Sequence, residues 1–166
     1  ANHLSFRLAN RVVVPECFPE VALRRQGARR GSVIRYPGFK EEVYLASASA
    51  PDKPASPTVR RSADELLVLA RPSPEAALYL SGRNAIFDSA LAQALDQGAR
   101  VVILARDADQ AARYSAAGAE VPSEPVDMAT AIHEADAVIG GGGTMSREAA
   151  LLGARTYTTF SGEQGG

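Results

Sequence analysis

The chain has 166 residues, 46% of them hydrophobic and 22% charged, so a buried core is expected and wholesale disorder is excluded. No apolar run approaches the roughly 20 residues that a membrane-spanning helix requires, so we expect no transmembrane segment and a cytoplasmic location. The single cysteine, Cys17, excludes an internal disulfide and a multi-cysteine zinc site. His3 and His133 lie far apart without ligand spacing, so we expect no metal centre.

The net charge of -1 hides an uneven distribution. Residues 1–61 hold 11 Lys and Arg against 5 Asp and Glu, whereas residues 62–166 hold 7 against 14. Such asymmetry can mark a basic interaction surface. The basic cluster Arg24, Arg25, Arg29 and Arg30, however, has no interleaved aromatic residue and no nucleic-acid-binding motif. We therefore expect no nucleic-acid partner, and either a solvated helix face or a surface that meets another domain.

Short apolar runs alternate with segments of helical period along most of the chain. The runs are rich in Val, Ile and Leu with little polar alternation, which is typical of parallel strands buried on both faces. The predicted strands are Arg11–Val14, Ser32–Arg35, Leu66–Ala70, Arg100–Ala105, Ala137–Ile139 and Thr156–Phe160.

Predicted helices lie between these strands, at Pro19–Gln26, Ala85–Gln97, Ala108–Ala117, Ala129–Ala135 and Met145–Leu152. The first residues of the sequence are predicted to lie within another helix. Ile86, Ala90, Leu91, Ala94 and Leu95 form one apolar stripe, and Gly98, Gly118 and Gly153 are the expected helix stops. The alternation predicts an α/β fold with a Rossmann-like, doubly wound parallel sheet.

One segment, residues 46–62, interrupts this alternation. It is rich in Ala and Ser, contains three prolines (Pro51, Pro54 and Pro57) and has no apolar periodicity, so it is predicted to be a linker or long surface loop.

A run of four glycines, Gly140 to Gly143, follows the strand predicted at Ala137–Ile139 and precedes a predicted helix. Glycines allow positive φ and a close approach of a ligand to the backbone, and a helix N-terminus offers free N–H groups and a positive dipole end. Thr144 or Ser146 could cap the helix or donate to a phosphate oxygen. The pattern favours a phosphate or diphosphate at Gly141, Gly142, Gly143 and Thr144 over a simple tight turn.

Glu148 follows Thr144 by four residues. It could complement the helix dipole, pair with Arg147, or accept hydrogen bonds from a vicinal diol such as that of a ribose. The sequence leaves these alternatives open.

The glycine run matches neither of the two common nucleotide motifs. It lacks the acidic residue that follows a dinucleotide fingerprint by about 20 positions, and the Gly-Lys-Ser/Thr ending of a P-loop.

Arg106 and Asp107 follow the strand predicted at Arg100–Ala105, on the edge where ligands bind in open α/β sheets. We expect Asp107 to cap a helix, with Arg106 either solvated or facing the cleft. Asn84 is the expected cap of the preceding helix, and Arg83 could reach the cleft.

Three stretches resemble a family of predicted glycosyltransferases with the two-domain GT-B fold, a fold also found in UDP-N-acetylglucosamine 2-epimerase and the peptidoglycan lipid-intermediate glycosyltransferase. They are IGGGGTMSREAALLGARTYTTF, RVVVPECFPEVALRRQGAR with VIRYPGFKEEVYL, and LVLARPSPEAALYLSGRN. The resemblance covers most of the chain outside the predicted linker.

The resemblance implies two partial domains. Residues 1–45 would be the closing elements of a truncated N-terminal Rossmann-like domain. Residues 63–166 would be a nucleotide-sugar-binding domain, truncated at its C-terminus, with Gly141–Thr144 on the diphosphate and Glu148 on the ribose. The loop Arg71–Glu75, including Ser73, would face the cleft. That loop has no histidine, unlike the epimerases, which disfavours an epimerase mechanism.

The resemblance, together with the glycine run and Glu148, implies the sugar-nucleotide-binding part of a metal-independent glycosyltransferase that needs no cofactor and is inactive alone. Its partners would be a sugar nucleotide and the missing N-terminal domain. The sequence does not identify the catalytic base. A non-catalytic nucleotide-binding module, an epimerase-like enzyme and a homodimer that covers an exposed sheet edge remain alternatives.

Overall fold

The computed structural model describes residues 3–45, 59–62, 64–75 and 83–160. Their contacts divide the chain into two units, with the boundary between Tyr44 and Leu45. Residues 46–58 of the predicted linker lie outside the described residues.

The first unit contains a two-stranded parallel sheet. In chain order its elements are α1 (His3–Leu8), β1 (Val12–Pro15), α2 (Glu20–Arg25), a 3-10 turn (Arg30–Ser32), β2 (Val33–Tyr36) and α3 (Lys40–Leu45). Val12, Val14 and Leu23 form its small buried core. Val13 and Ile34, which are partners in the strand register, are exposed by 60% and 47%. Both strands are confirmed within one residue, whereas the short helix α3 was not predicted.

The second unit is built on a four-stranded sheet. Its elements are β3 (Leu67–Arg71), α4 (Ala85–Asp96), β4 (Arg100–Ile103), α5 (Ala108–Ala116), α6 (Met128–Glu134), β5 (Ala137–Gly140), α7 (Gly143–Leu151) and β6 (Thr156–Thr158). The spatial order is β4-β3-β5-β6, and every neighbouring pair is parallel. The predicted α/β class with a Rossmann-like parallel sheet is confirmed.

The central strand β3 is buried on both faces, and alternate residues point to opposite sides. Val68 and Ala70 pack in a cluster with Phe87 of α4 and Tyr114 of α5. The neighbouring residues Leu67 and Leu69 pack on the other side, in a cluster with Ile132 of α6 and with Met145 and Ala149 of α7. Helices therefore cover both faces, which explains why the strand sequences show no polar alternation.

The predicted helix boundaries are largely confirmed. Asn84 accepts a hydrogen bond from the Phe87 N–H, and Asp107 accepts one from the Gln110 N–H. Gly98, Gly118 and Gly153 terminate helices with φ of 78°, 96° and 80°, in the left-handed region that favours glycine.

The predicted apolar stripe of α4 was wrong at its start. Ile86 is 63% exposed, whereas the neighbouring Phe87 is fully buried. Phe87 packs edge-on against Tyr114, with ring centroids 5.9 Å apart. The Asn84 cap fixes where the helix begins, and the contact with α5 decides which of the two adjacent apolar residues faces the sheet.

The ion pair between Arg100 and Glu120 provides a pH test of the fold. Arg100 Nε and Nη2 donate to the two carboxylate oxygens at 2.9 and 2.8 Å, and this hydrogen bonding lowers the pKa of Glu120. Because the folded pKa lies below the unfolded one, the pair stabilises the fold above pH 4.5 and is lost as pH falls through the folded pKa. We expect Glu120→Gln to reduce the unfolding free energy by about 0.2–1 kcal/mol at neutral pH.

Urea unfolding across the pH range measures this difference, which should shrink as the medium becomes acidic. Glu124→Gln removes a charge from the same segment without removing this pair, and is the matched control. A deficit in Glu120→Gln that stays constant at low pH would show that the carboxylate charge is not its origin.

Candidate functional site

The sheet order creates a crevice between β3 and β5. The chain moves from β3 outward to β4, then returns to the other side of β3 with β5, so the connections leave these adjacent strands in opposite directions. Ligands of open α/β sheets bind at such a switch point, outside the carboxyl ends of the strands. The loop after β3 and the glycine run after β5 meet there, since Gly141 N–H donates to Arg71 C=O at 2.8 Å.

The four glycines fall into two pairs with different constraints. A Cβ on Gly140 would lie 2.1 Å from Ser146 Oγ, and one on Gly141 would lie 2.5 Å from Ser73 N. A Cβ on Gly142 or Gly143 would meet only the guanidinium groups of Arg106 or Arg147, whose side chains are flexible. Gly140 and Gly141 therefore permit close packing of the chain on itself, while Gly142 and Gly143 border the arginines.

None of these four glycines has a positive φ; the positive-φ glycines lie elsewhere in the described residues. Gly142, for example, has φ -135° and ψ 167°, an extended conformation open to any residue. Of the two properties that glycine offers, close approach of neighbouring chain atoms, and not positive φ, explains Gly140 and Gly141.

Helix α7 begins at this run with Gly142 as its N-cap and without a side-chain cap. Of the two alternatives for Thr144 and Ser146, capping of the helix is not observed. Thr144 lies inside the first turn, and Ser146 Oγ donates back to Gly142 C=O at 2.9 Å. By contrast, α4, α5 and α6 each carry an Asn or Asp cap. The first turn of α7 therefore presents backbone N–H groups that no side chain of the described residues caps.

Three arginines surround the loops of the crevice. Arg106 Nε donates to Pro72 C=O at 3.0 Å, and its Nη2 lies 3.7 Å from the position of a Gly142 Cβ. Arg147 Nη1 lies 2.9 Å from the position of a Gly143 Cβ. Arg71 ends β3, and its Nε is buried without a hydrogen-bond partner among the described residues. Uncapped N–H groups and guanidinium groups together favour an anion.

Arg147 was not among the predicted site residues. It lies four positions after Gly143, and residues four apart lie on the same face of a helix. That spacing was available in the sequence, but only the helix start at Gly143 shows which side of the glycine run the guanidinium adjoins.

A cavity of about 490 Å³ adjoins two of these arginines, Arg71 and Arg106, on the β4 side of β3. Arg71 and Arg106 contribute to its wall, as does the segment that precedes α6. Its other lining residues are Ile103, Leu104, Ala105, Asp107, Ala108, Ala111, Val121, Pro122, Glu124, Pro125, Val126 and Met128. The mixed apolar and polar wall suits an organic group attached to an anion.

The remaining predicted site residues differ in accessibility. Thr144 is exposed on the first turn of α7, and Glu148 is half-buried one turn further along, a rise of about 6 Å. Ser73 is only 5% exposed, and its Oγ donates to Gly141 C=O. The described geometry therefore gives Ser73 a contact within the protein rather than a surface open to a ligand.

Gln110 joins two of the site loops and was not predicted. It is fully buried; its Nε2 donates to Ser73 C=O at 2.9 Å, and its Oε1 accepts from Arg106 N–H at 3.2 Å. Asp107 caps α5 at the Gln110 N–H, as predicted. The sequence did not indicate this role of Gln110, because the role depends on two loops that are distant from each other in sequence.

Glu75, at the far end of the loop after β3, pairs with Arg113 of α5. The hydrogen bond with Glu75 is the main cause that raises the pKa of Arg113 above its usual value. Burial is the main cause that raises the pKa of the neighbouring Tyr114. The loop is therefore fixed to α5 at both Ser73 and Glu75.

Other candidates lie outside this arrangement. Arg83 pairs with Asp88 on α4 at 2.9 Å, while His133 and Cys17 are exposed. Among the described residues, no three His, Cys, Asp or Glu side chains form a group that could hold a metal ion. No helix in the described ranges is long and apolar enough to cross a membrane.

The fold and crevice define a Rossmann-like α/β protein with an anion-favouring loop at its switch point. The chain belongs to the DUF354 family, described as a protein of unknown function, whose model matches residues 1–166. It is similar to uncharacterized protein MJ0665 of Methanocaldococcus jannaschii, with 27% identity over 167 residues. That match covers 98% of this chain and 48% of the relative, so the chain spans about half the relative's length. No solved structure matches the chain.

The two glycine pairs predict different responses to alanine. Gly141→Ala should lower the unfolding free energy by about 1–3 kcal/mol, since the new methyl would overlap the backbone of the loop after β3. Gly142→Ala should change it little, because the nearest atom is 3.7 Å away. Urea unfolding of both variants compares them, and equal destabilisation would contradict the division of the glycine run.

Removing the Gln110 side-chain amide should loosen two loops at once. We expect Gln110→Leu to cost about 1–3 kcal/mol of unfolding free energy, because Ser73 C=O and Arg106 N–H lose a buried partner. Hydrogen exchange at the Arg106 amide should accelerate. The exposed Gln97→Leu is the matched control, and unchanged exchange at Arg106 in Gln110→Leu would contradict this role.

Proposed function

We propose that this chain is the nucleotide-sugar-binding part of a GT-B-type glycosyltransferase. The observation that carries the proposal is the meeting, at one sheet edge, of an uncapped helix N-terminus, three arginines and a cavity. A nucleoside diphosphate has the matching parts, namely a compact double anion joined to a mixed polar and apolar group. The resemblance of the glycine run and of Glu148 to glycosyltransferases supplies the reaction class.

In this proposal the diphosphate lies against the first turn of α7 and between the guanidinium groups. Backbone N–H groups of Gly142, Gly143 and Thr144 donate to its oxygens, and Arg106 and Arg147 add charge-assisted hydrogen bonds. Arg71 lies between this loop and the cavity, since its carbonyl accepts a hydrogen bond from Gly141 N–H and the residue forms part of the cavity wall.

Glu148 would accept hydrogen bonds from the ribose hydroxyls. A carboxylate touching a phosphate would repel it, but the rise of about 6 Å from Thr144 separates the two groups. That distance corresponds to one sugar unit beyond the diphosphate. The cavity would then receive the rest of the nucleoside.

The chemical contribution of this unit would be stabilisation of the leaving diphosphate. When the bond between the sugar and the diphosphate breaks, negative charge develops on the leaving oxygen, and preorganised N–H groups and arginines stabilise it. Of the nearby carboxylates, Asp107 caps α5 and Glu75 pairs with Arg113. The general base would come from the remainder of a longer protein, so this chain alone would bind without turnover.

Calorimetry on the 166-residue chain tests the binding part. We expect UDP to bind more tightly than uridine, and Arg106→Ala to weaken UDP binding about tenfold or more through loss of a charged donor. Arg155→Ala is the matched control, because Arg155 precedes β6 at the opposite edge of the sheet. Equal affinity for UDP and uridine would contradict the diphosphate site.

The proposed role of Glu148 can be tested by comparing ligands with and without a ribose diol. Glu148→Gln should weaken binding of UDP but leave binding of 2′,3′-dideoxy-UDP and of inorganic pyrophosphate unchanged, because only UDP offers the diol. Glu16→Gln, an exposed change in the first unit, is the control. Sugar transfer by the full-length protein distinguishes an enzyme from a non-catalytic nucleotide-binding module.

A further inference from the structure

The Ser73 hydroxyl is committed to the backbone of the glycine run. The side chain is buried, and its one hydroxyl hydrogen is used in the bond to Gly141 C=O. It therefore has no hydrogen left to donate to a phosphate. What it controls is the orientation of the peptide group that joins Gly141 to Gly142.

That peptide group has two faces of opposite chemistry. In a trans peptide the C=O of one residue and the N–H of the next point in opposite directions, and no peptide bond among the described residues is cis. Since Gly141 C=O points to Ser73, the N–H of Gly142 points away from the loop after β3. A rotation of this peptide by about half a turn would instead present a carbonyl oxygen, which repels an anion.

The backbone on either side of this peptide is glycine, so it does not by itself strongly favour one of these two orientations. Rotation of the peptide changes ψ of Gly141 and φ of Gly142, and glycine tolerates positive φ about as readily as negative φ. The two residues on either side of the rotating group therefore resist it little. The hydrogen bond from Ser73 is the contact that favours one orientation.

Ser73 is itself fixed by α5. Gln110 Nε2 donates to the Ser73 carbonyl, and the Gln110 backbone N–H is bound to Asp107 Oδ1 at 2.8 Å. A chain of hydrogen bonds thus runs from the start of α5 through Gln110 and Ser73 to Gly141. Gln110 and Ser73 are buried from solvent, whereas Asp107 at the start of α5 is exposed.

We propose that Ser73 is a positioning residue that holds the Gly141–Gly142 peptide with its N–H toward the anion, and that Gln110 fixes Ser73 in place. The anion is the diphosphate of the proposed function, on which this part of the inference rests. The orientation of the peptide in the unliganded protein is independent of that function.

Ser73→Ala tests the proposal through two readouts. In its crystal structure we expect the Gly141–Gly142 peptide to be predominantly reversed. Its affinity for inorganic pyrophosphate and for UDP should then fall about tenfold, since a donor becomes an acceptor in most of the molecules. Ser73→Thr retains the hydroxyl and should restore both the orientation and the affinity.

Ser32→Ala is the matched control for a merely structural loss. Ser32 is also buried and also donates to a backbone carbonyl, that of Arg29, at 2.8 Å in the first unit. Ser32→Ala should lower the unfolding free energy about as much as Ser73→Ala does. It should change neither the orientation of the Gly141–Gly142 peptide nor the affinity for pyrophosphate and UDP. An unchanged peptide in Ser73→Ala, with affinities within twofold of wild type, would overturn the proposal. If the peptide is reversed in Ser73→Ala but the wild-type protein binds neither pyrophosphate nor UDP, the positioning role is supported and the proposed function is contradicted.

Discussion

The close contact between Gly141 and the loop after β3 is the constraint on which the site depends. The backbone of Gly141 approaches Ser73 and Pro72 so closely that a side chain at this position would overlap their main-chain atoms. The contact extends the pairing of β3 with β5 by one residue, through the bond from Gly141 N–H to Arg71 C=O. It brings the start of α7 to the centre of the sheet edge, where β3 ends at Arg71.

The same region combines rigid and adaptable parts. Gly140 and Gly141 are packed against the chain itself, and buried Ser73 and Gln110 connect their loop to α5. Gly142 and Gly143 instead border the side chains of Arg106 and Arg147. In the proposed function a backbone held in this way would need little reorganisation when the anion binds.

The first and second units differ in how completely they bury their strands. β3 has helices on both faces, whereas β1 and β2 leave Val13 and Ile34 exposed on one side. Parallel strands are ordinarily covered on both faces. The second unit therefore contains a complete layered core around the crevice, and the proposed function rests on that unit alone.

The sequence by itself determined the element order and the class of fold. Runs of Val, Ile and Leu marked the six strands to within two residues at each boundary, and Asn84, Asp107 and three helix-terminating glycines marked helix ends, because these signals are local. It also indicated the glycine run and Arg106.

Only the tertiary structure decided why the glycines are there, that Ser73 faces the protein, that Phe87 and not Ile86 is buried, and that Gln110 and Arg147 adjoin the site. Those facts depend on which loops lie side by side at the sheet edge, and strand order, which sets this, has no local signature in the chain.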